Sequence, residues 1–492
     1  MSTVLPLPKQ FLIAKTLPAE LDNWKSYSLL DWSIAASDEL PVISINSADA
    51  PVHGFLLGWV IRHGALLTDG THLELGNPLD PEFLDSLCGR YILLIARNGQ
   101  TFARTDAGAL LPLVYSARFK AAGSTPTALG ILQPLAPDTE IQECFRIGER
   151  FGWLAFGLTP YKDIMRLLPN HELSLETGQV RRFWPETAEE IAPLLPRGRV
   201  PQAKTHLIAD RVAENAEAVI KAGRGIVHLT AGYDSRMVVA ATAKYRNQCF
   251  YETVTMAAKG GAPDLDTHIA AAISRKLDLN HEFIEFVDTR PEEIDAWLKR
   301  TGYCVYDHVT NLAATAERYD RHYHALTGTC GEVGRAYYWG DGIETRETVD
   351  PGLLIDRLGM PSIPAIRAGA EQWLRELPVT GGSTLWDLAY IEQRLGCWAG
   401  PSVFGHNVSY PSLSPFNNSI IYRMMLSLPE DYRQSQQFAR DFIGYLWPEL
   451  LGFPFNRAIG LAKRHYLKSE ITALLPPAAL SLLKGLRKKL KS

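Results

Sequence analysis

A short stretch of the sequence carries the residue types that bind a phosphate chain. It reads His228-Leu-Thr-Ala-Gly-Tyr-Asp-Ser-Arg236. The apolar run 225–229 before the turn predicts a strand, and the apolar spacing over residues 237–243 after it predicts a helix. A helix N-terminus offers unpaired N–H groups and the positive end of its dipole. A strand, a turn of small residues and a helix in this order therefore predict an anion site.

Four residues of this turn have separate tasks in such a site. Gly232 allows a close approach of the backbone to a phosphate, and Thr230 and Ser235 add hydroxyl donors. Asp234 is an oxygen ligand of the kind that holds Mg²⁺ beside phosphates. The alternative is that Asp234 and Ser235 only cap the helix. The turn by itself does not decide between the two.

Composition limits the class of protein. The chain has 492 residues, of which 46% are hydrophobic and 21% charged, a balance typical of globular proteins with two to four domains. A formal charge of -4 gives no basic field for a nucleic-acid partner. The six cysteines form no Cys-x-x-Cys pair and are interpreted as free thiols of a reducing compartment.

The sequence predicts no membrane-spanning segment. No stretch approaches the ~20 apolar residues that a transmembrane helix needs, and prolines and lysines interrupt the N-terminal apolar run. A cytoplasmic location is the expectation. Residues 480–492 combine leucines with Lys484, Arg487, Lys488, Lys489 and Lys491. This segment is either a solvated basic helix end or an anchor for a membrane surface or a partner.

The pattern of elements divides the chain in two. Residues 1–185 read as short strands separated by turns, including strands at 91–96, 99–103 and 111–115. Prolines in 186–202 mark a linker. In 203–492, a helix over 203–222 precedes strands at 225–229, 249–255 and 281–286, with a helix over 266–276, and most of the chain after residue 301 is helical. Strands alternating with helices predict an α/β fold with a doubly wound parallel sheet.

Several motifs together resemble those of one family. The turn is similar to the Ser-Gly-Gly-x-Asp-Ser loop of ATP pyrophosphatases, and the chain around it resembles the asparagine synthetase family. Leu326-Thr-Gly-Thr-Cys-Gly-Glu332 resembles the family's second acidic loop, with Glu332 in the place of its acid. Asp266, Ala270 and 279–281 resemble the segment after the second strand of the sheet.

The N-terminal half carries the same resemblance. Asp106-Ala-Gly with Leu111-Pro-Leu-Val-Tyr115 is similar to a hairpin of the family's N-terminal domain, and segments 159–171 and 182–185 resemble the end of that domain. The resemblance implies a degenerate, β-rich domain like that of the N-terminal nucleophile hydrolases over 1–185. It implies an ATP pyrophosphatase domain with a helical C-terminal part over 203–492.

The resemblance also implies roles for site residues. Asp234, Ser235 and Glu332 would be catalytic, and Asp234 and Glu332 would hold Mg²⁺. The residues that would bind ATP form a larger set: Leu229, Thr230, Ala231, Gly232, Ser235, Arg236 and Gly328. Arg236 is expected either along the phosphates or at a substrate carboxylate, or in a salt bridge on the first helical turn.

The sequence departs from the family pattern at several positions. Residue 2 is Ser2, where glutamine-dependent members have a catalytic cysteine, so glutaminase activity is not expected. Ala231 replaces a glycine, and Thr329 stands where an acid or a tyrosine is usual. Glu392 and Arg394 are expected to shape an acceptor site or to form an intrahelical surface pair. Lys463 and Lys468 are candidates for the lysine that would stabilise the transition state.

The function expected from this resemblance is ATP-dependent activation of a carboxylate as an acyl-adenylate, followed by amide formation with ammonia or an amine. The carboxylate would belong to a small molecule, a peptide or a polysaccharide. One alternative is intramolecular amide closure of the lasso-peptide or β-lactam type. Another is a catalytically silent nucleotide-binding or regulatory protein. Homodimer formation stays open, and the near-neutral charge disfavours a tRNA-modifying pyrophosphatase.

Overall fold

The computed structural model describes residues 7–21, 23–47, 50–145, 151–192, 198, 200–255, 264–285, 289–306, 323–406 and 410–457. Ser2, Lys463, Lys468 and the basic segment 480–492 lie outside the described residues. Within the described ranges the chain is mixed α/β, with three sheets and a largely helical C-terminal part. This confirms the predicted fold class at that level.

Strands dominate the N-terminal half because its sequence alternates short apolar runs with turns. The strands are β1 Phe11–Ala14, β2 Lys25–Leu29, β3 Trp32–Ala36, β4 Val42–Ser47, β5 Ala50–Arg62, β6 Ala65–Leu66, β7 His72–Glu74, β8 Leu87–Arg97, β9 Gln100–Thr105, β10 Val114–Ser116, β11 Ala121–Gly123, β12 Met165–Arg166, β13 His171–Ser174 and β14 Val180–Arg182. Three short helices accompany them: α1 Pro81–Ser86, α2 Pro126–Leu129 and α3 Thr139–Phe145.

These strands form two sheets. The first has the order β12-β10-β11-β1-β3-β2, and its pairs are antiparallel. The second has the order β14-β13-β9-β8-β5-β4-β7, with β6 paired to β5, and only its β4–β7 pair is parallel. Apolar side chains of both sheets enter one core, as in a sandwich: Phe11, Ile13, Trp32 and Ile34 with Phe55, Leu57, Ile92 and Leu94.

The C-terminal half contains a parallel sheet. Its strands are β15 Arg224–His228, β16 Cys249–Thr255, β17 His281–Glu285, β18 Tyr323–Leu326 and β19 Ser412–Leu413, in the order β17-β16-β15-β18-β19. The first strand is therefore central, and the strand order reverses between β15 and β18. In open α/β sheets, ligands bind outside the carboxyl ends of the strands at such a switch point.

Helices flank and follow this sheet. Among the described residues, those before β18 are α4 Gln202–Ala222, α5 Tyr233–Ala241, α6 Leu265–Leu277 and α7 Pro291–Thr301. Those after it are α8 Pro351–Leu358, α9 Pro364–Glu376, α10 Gly382–Leu388, α11 Gly400–His406, α12 Ser419–Leu426, α13 Glu430–Gln434 and α14 Gln437–Leu446. A π-helix, Ala389–Ala399, continues α10. The predicted helices over 203–222 and 266–276 and the strand over 249–255 are confirmed.

Two further expectations concern membranes and cysteines. Among the described residues, no helix combines the length and the apolar character that crossing a bilayer requires. All six cysteines are free, and five of them are buried. The prediction of free thiols is confirmed.

Buried polar contacts join the N-terminal sandwich to the C-terminal half. Asn417 Nδ2 donates to the carbonyl of Gly89 at 2.6 Å and to Asp106 Oδ1 at 2.7 Å. Asp106 also accepts from four backbone N–H groups of its own hairpin, those of Tyr91, Gly108, Leu110 and Leu111. The hairpin that resembles the family's N-terminal domain is therefore seated on the segment that follows β19.

Candidate active site at the sheet switch point

The turn after β15 is shaped by internal hydrogen bonds. Thr230 Oγ1 lies 2.6 Å from Ser235 Oγ, and the Gly232 N–H donates to Thr230 Oγ1 at 3.2 Å. The Ala231 N–H donates to Asp266 Oδ1 at 2.7 Å. The hydroxyls of Thr230 and Ser235 therefore stand together at the start of α5. Ala231 replaces a glycine, but its φ is not positive. It therefore adopts this turn without backbone strain.

The N-cap position of α5 supplies no side-chain cap. Gly232 is the N-cap residue, with φ -78° and ψ 169°, and it has no side chain that could bond to the helix. The Asp234 carboxylate accepts from its own backbone N–H, and the Ser235 hydroxyl pairs with that of Thr230. A Cβ on Gly232 would lie 3.5 Å from Thr230 Oγ1, an ordinary contact. A helix N-terminus without a cap from its N-cap residue is suited to an anion.

The second acidic loop follows β18, the neighbour of β15. Glu332 lies on a 3-10 turn, Gly331–Gly334. A Cβ on Gly328 would come 2.7 Å from the Asp234 carbonyl carbon and 2.8 Å from the Ser235 nitrogen. Cys330, just before the turn, has φ 77°, a left-handed conformation that is uncommon for a residue with a side chain. The second loop is therefore pressed against the N-terminus of α5.

The two acids predicted to act together are brought together. A Cβ on Gly331 would lie 3.3 Å from Asp234 Oδ1, and Glu332 is close enough for its charge to act on Asp234. Asp234 Oδ1 and Glu332 Oε2 are both buried without a hydrogen-bond partner among the described residues. Such orphaned oxygens are rare in folded proteins and call for a ligand, an ion or water.

A cation and a tyrosine adjoin the acid pair. Arg335 Nη2 lies 2.5 Å from Asp234 Oδ2. Burial and the charge of Glu332 raise the pKa of Asp234 well above its ordinary value, against the lowering effect of Arg335. Burial and the charge of Glu332 likewise raise the pKa of Tyr390, on the π-helix, far above its ordinary range. Tyr390 therefore stays protonated and is a hydroxyl donor.

A buried ion pair supports the second loop from behind. Arg433 Nη1 and Nη2 bind Asp387 at 2.8 and 2.7 Å, and Nη2 also donates to the Val333 carbonyl at 2.8 Å. Trp339 Nε1 donates to Asp387 at 2.9 Å. Because every one of these groups is buried, the 3-10 turn that carries Glu332 has a fixed position.

Two residues predicted to bind ATP, Leu229 and Ala231, form hydrogen bonds within the protein instead. Leu229 is buried, and its N–H and carbonyl bond to Glu252 and Thr253 of β16. The Ala231 carbonyl accepts from the Asn456 N–H at 3.0 Å and from Arg236. Both residues therefore build the turn rather than face its mouth.

Arg236 has neither of the roles expected for it. Its side chain is fully buried, with Nη1 donating to the Phe453 carbonyl at 2.9 Å and Nη2 to the carbonyls of Pro454 and Ala231. The guanidinium also lies 4.1 Å from the centre of the Phe455 ring. Arg236 thus ties segment 453–456 to the turn.

The residues expected to shape an acceptor site are also placed differently. Glu392 is fully buried and is bound by Arg182 at 2.5 and 2.8 Å, so it is neither a surface residue nor paired within its own helix. Arg394 stacks on Trp398, with 3.6 Å between its guanidinium carbon and the ring centre. The Thr329 carbonyl accepts from the Ser414 hydroxyl.

The sequence interpretation missed Arg335 and Tyr390 as neighbours of the acids. A signal for Arg335 is its position three residues after Glu332, because side chains three apart lie on the same side of a 3-10 turn. No comparable signal marks Tyr390, which reaches Glu332 from a separate helix.

The donor set fits Mg²⁺ bound together with phosphates. Two carboxylates with orphaned oxygens are the hard ligands that this ion takes from proteins. Among the described residues, no group of three or more His, Cys, Asp or Glu side chains is placed to hold a metal ion. A Mg²⁺ ion on Asp234 and Glu332 would therefore complete its shell with phosphate and water oxygens.

A separate cavity of about 410 Å³ lies between α1, the second sheet and α12. Its walls include Leu84, Leu93, Trp184 and Tyr422, and none of the loop residues described above. The orphaned acids and the start of α5 lie at the switch point, outside this cavity.

Comparison with known proteins adds no assignment: no protein-family model matches the chain, and no curated protein matches it.

Proposed function

We propose that the protein activates a carboxylate with ATP and then forms an amide, in the manner of the asparagine synthetases but without a glutaminase. The observation that carries this proposal is the convergence of Asp234 and Glu332, each with an orphaned buried oxygen, beside the uncapped N-terminus of α5. Two acids and an open helix end at a switch point suit a magnesium-bound pyrophosphate.

Each group has a defined task in this proposal. The first-turn N–H groups of α5, with the hydroxyls of Thr230 and Ser235, bind the pyrophosphate oxygens. Asp234 and Glu332 would hold Mg²⁺, and the ion would supply positive charge beside the phosphates. These groups are fixed before the reaction by the hydrogen bonds around the turn. Charge that develops on the leaving group is therefore stabilised without reorganisation of the site.

The reaction has two steps. A substrate carboxylate oxygen attacks the α-phosphorus of ATP, and the bond to the bridging oxygen breaks, so that pyrophosphate leaves with that electron pair. The nitrogen of ammonia or an amine then attacks the acyl carbon of the adenylate, AMP leaves, and the nitrogen loses a proton. The carboxylate belongs to a small molecule, a peptide or a polysaccharide, and intramolecular closure is the same chemistry with both groups on one molecule.

In this proposal the two halves of the chain have the identities that the resemblance implies. Residues 203–492 form an ATP pyrophosphatase domain around a doubly wound parallel sheet. Residues 1–185 form a degenerate domain of the N-terminal nucleophile hydrolase type, joined to it by 186–202. The sandwich of two largely antiparallel sheets and the parallel sheet with a central first strand support this division.

The proposal predicts that Asp234→Asn abolishes both metal-dependent nucleotide binding and chemistry. We expect binding of ATP with Mg²⁺ in the wild-type protein by titration calorimetry. We also expect carboxylate-dependent exchange of labelled pyrophosphate into ATP, tested with amino acids, dicarboxylic acids and a metabolite extract. In Asp234→Asn the exchange should fall by about 10²- to 10³-fold, because the metal ion that would neutralise the leaving-group charge loses an anionic ligand.

The matched control is Asp341→Asn. Asp341 is an exposed acid paired with Arg357 at 2.9 Å, so its removal should leave binding and exchange unchanged. Unchanged exchange in Asp234→Asn would remove this site from the reaction. A wild-type protein that binds ATP but releases no AMP with any carboxylate would instead favour the silent nucleotide-binding alternative.

A further inference from the structure

Arg335 is the cation that the structure places against the acid pair. Its Nη2 lies 2.5 Å from Asp234 Oδ2, and about a fifth of each side chain is exposed. Its Nε is buried without a hydrogen-bond partner among the described residues. The guanidinium therefore has donor capacity that the ion pair with Asp234 does not use.

The backbone of Arg335 is held firmly. Its N–H donates to the Glu332 carbonyl at 2.9 Å as it closes the 3-10 turn. Arg433, which is buried and paired with Asp387, donates to the carbonyls of Val333 and Arg335. The start of the side chain is fixed, so the guanidinium can change partners only within reach of the same loop.

The charges at the site explain why the Arg335 guanidinium would change partners when a nucleotide binds. Asp234, Glu332 and Arg335 together carry one net negative charge when all are ionised, and the positive charge of Arg335 competes with a metal ion for the carboxylate of Asp234. A magnesium-bound triphosphate brings both a competing cation for Asp234 and new anionic oxygens beside it. A guanidinium presents a planar set of donors that matches phosphate oxygens.

We propose that Arg335 is a catalytic residue of the adenylation step: it yields Asp234 to the metal ion and binds the pyrophosphate that leaves. This inference rests on the function proposed above. As the carboxylate oxygen bonds to the α-phosphorus, the bond to the bridging oxygen breaks and its electron pair goes to the pyrophosphate. Arg335 keeps its proton throughout and stabilises the charge that accumulates on that group.

A purely structural ion pair makes a different prediction. If Arg335 only anchors the loop through Asp234, its removal frees an acid for a metal ion but takes nothing from pyrophosphate. If Arg335 binds the leaving group, its removal changes the two affinities in opposite directions. Affinities for a metal ion alone and for pyrophosphate therefore separate the two roles without any measurement of turnover.

The test uses the full chain with Arg335→Gln and Arg335→Lys, and with Arg118→Gln as the control. Arg118 forms an exposed pair with Asp163 at 2.8 Å in the N-terminal sandwich. Binding of Mn²⁺ without nucleotide is measured by electron paramagnetic resonance, and binding of pyrophosphate with Mg²⁺ by calorimetry. In Arg335→Gln we expect Mn²⁺ to bind at least about threefold tighter. Pyrophosphate should bind about 10- to 100-fold weaker, because a charged hydrogen-bond donor is lost.

Arg335→Lys keeps the charge without the planar set of donors, so its pyrophosphate affinity should lie between those of the wild type and Arg335→Gln. The control Arg118→Gln should match the wild type. Pyrophosphate affinity in Arg335→Gln within about twofold of the wild type would overturn the inference, even with tighter Mn²⁺ binding. If Arg335→Gln does not fold, Arg335→Lys decides by the same criterion. A wild-type protein that binds no pyrophosphate would overturn the proposed function itself.

Discussion

At the scale of single residues, Arg236 shows how a side chain next to the phosphate-binding turn can stabilise that turn through buried hydrogen bonds. Its guanidinium donates to the carbonyls of Ala231, Phe453 and Pro454, and no carboxylate is its partner in these bonds. The Tyr233 ring stacks on the Phe455 ring with 4.2 Å between their centres. The segment after α14 is thus fastened to the turn by one buried cation and one pair of rings.

We therefore expect Arg236→Met to loosen this segment. The change leaves buried carbonyl groups without donors, which should cost about 1–3 kcal/mol in the free energy of unfolding. Denaturant unfolding measures the loss, and limited proteolysis should detect faster cleavage near residues 453–456. Arg246→Met, at an exposed arginine of the same half, should change stability by less than about 0.5 kcal/mol. Equal stability of Arg236→Met and the wild type would contradict this role.

At the scale of elements, the site depends on how closely the second loop approaches α5. Gly328 permits that approach, because a Cβ there would press on the backbone of Asp234 and Ser235 at 2.7 and 2.8 Å. The contact is between two backbones, so neither side can move away by changing a side-chain rotamer.

Gly328→Ala should therefore separate the two acids. We expect a destabilisation of about 1–3 kcal/mol from overpacking, and weaker binding of Mg²⁺ with ATP. Thermal unfolding and calorimetry measure the two effects. Gly76→Ala is the matched control, because a Cβ at Gly76 has no heavy atom within 4 Å and the residue has no positive φ. Comparable results from both alanine variants would show that the close approach is not required.

The elements themselves were largely predictable from the sequence. The sequence located α4, α6 and β16 to within a residue or so, because the two helices each bury one face and β16 is rich in aromatic and β-branched residues. The predicted strand over 111–115 was only partly right, since β10 begins at Val114. In the preceding segment the Leu110 and Leu111 N–H groups donate to Asp106, so a side chain takes donors that a strand ladder would use.

The contacts that complete the site were not predictable in the same way. The pairing of Asp234 with Arg335 spans 101 residues and depends on the order of strands in the sheet. Local pattern predicts that a strand exists, but the neighbours of that strand follow from packing of the whole sheet. For the same reason Leu229 and Arg236 were predicted to bind ATP, although the fold turns both inward.

At the scale of the whole molecule, one buried ion pair joins the two halves. Arg182, at the end of β14, binds Glu392 of the π-helix, which also accepts from Trp373 Nε1 at 2.7 Å and Asn170 Nδ2 at 3.0 Å. Burial by itself would raise the pKa of Glu392, but the charge and hydrogen bonds of Arg182 outweigh it. The pKa of Glu392 therefore lies below its ordinary value of 4.5.

This pair makes a prediction for stability and its pH dependence. Glu392→Gln should destabilise the protein by about 3–5 kcal/mol near neutral pH, because a buried arginine loses its counter-charge. Since the folded-state pKa is lowered, the stabilisation is present above pH 4.5 and is lost as pH falls through the folded-state value. Denaturant unfolding across pH measures both effects.

The difference in the free energy of unfolding between Glu392→Gln and the wild type should therefore shrink in acid. Glu371→Gln is the control, because Glu371 pairs with Arg367 at 3.3 Å with about half of each side chain exposed, and it should cost less than about 0.5 kcal/mol. A difference between Glu392→Gln and the wild type that stays constant from neutral pH to well below 4.5 would contradict this account.

The pair between Arg182 and Glu392 also bears on exchange of domains between proteins of this architecture. A boundary placed between β14 and α4 would put the arginine on one parental chain and the glutamate on the other. A chimaera made at that boundary would bury an uncompensated charge unless its donors carry the same pair. The two halves are therefore expected to be transplanted successfully only as a matched set, although each contains sheets of its own.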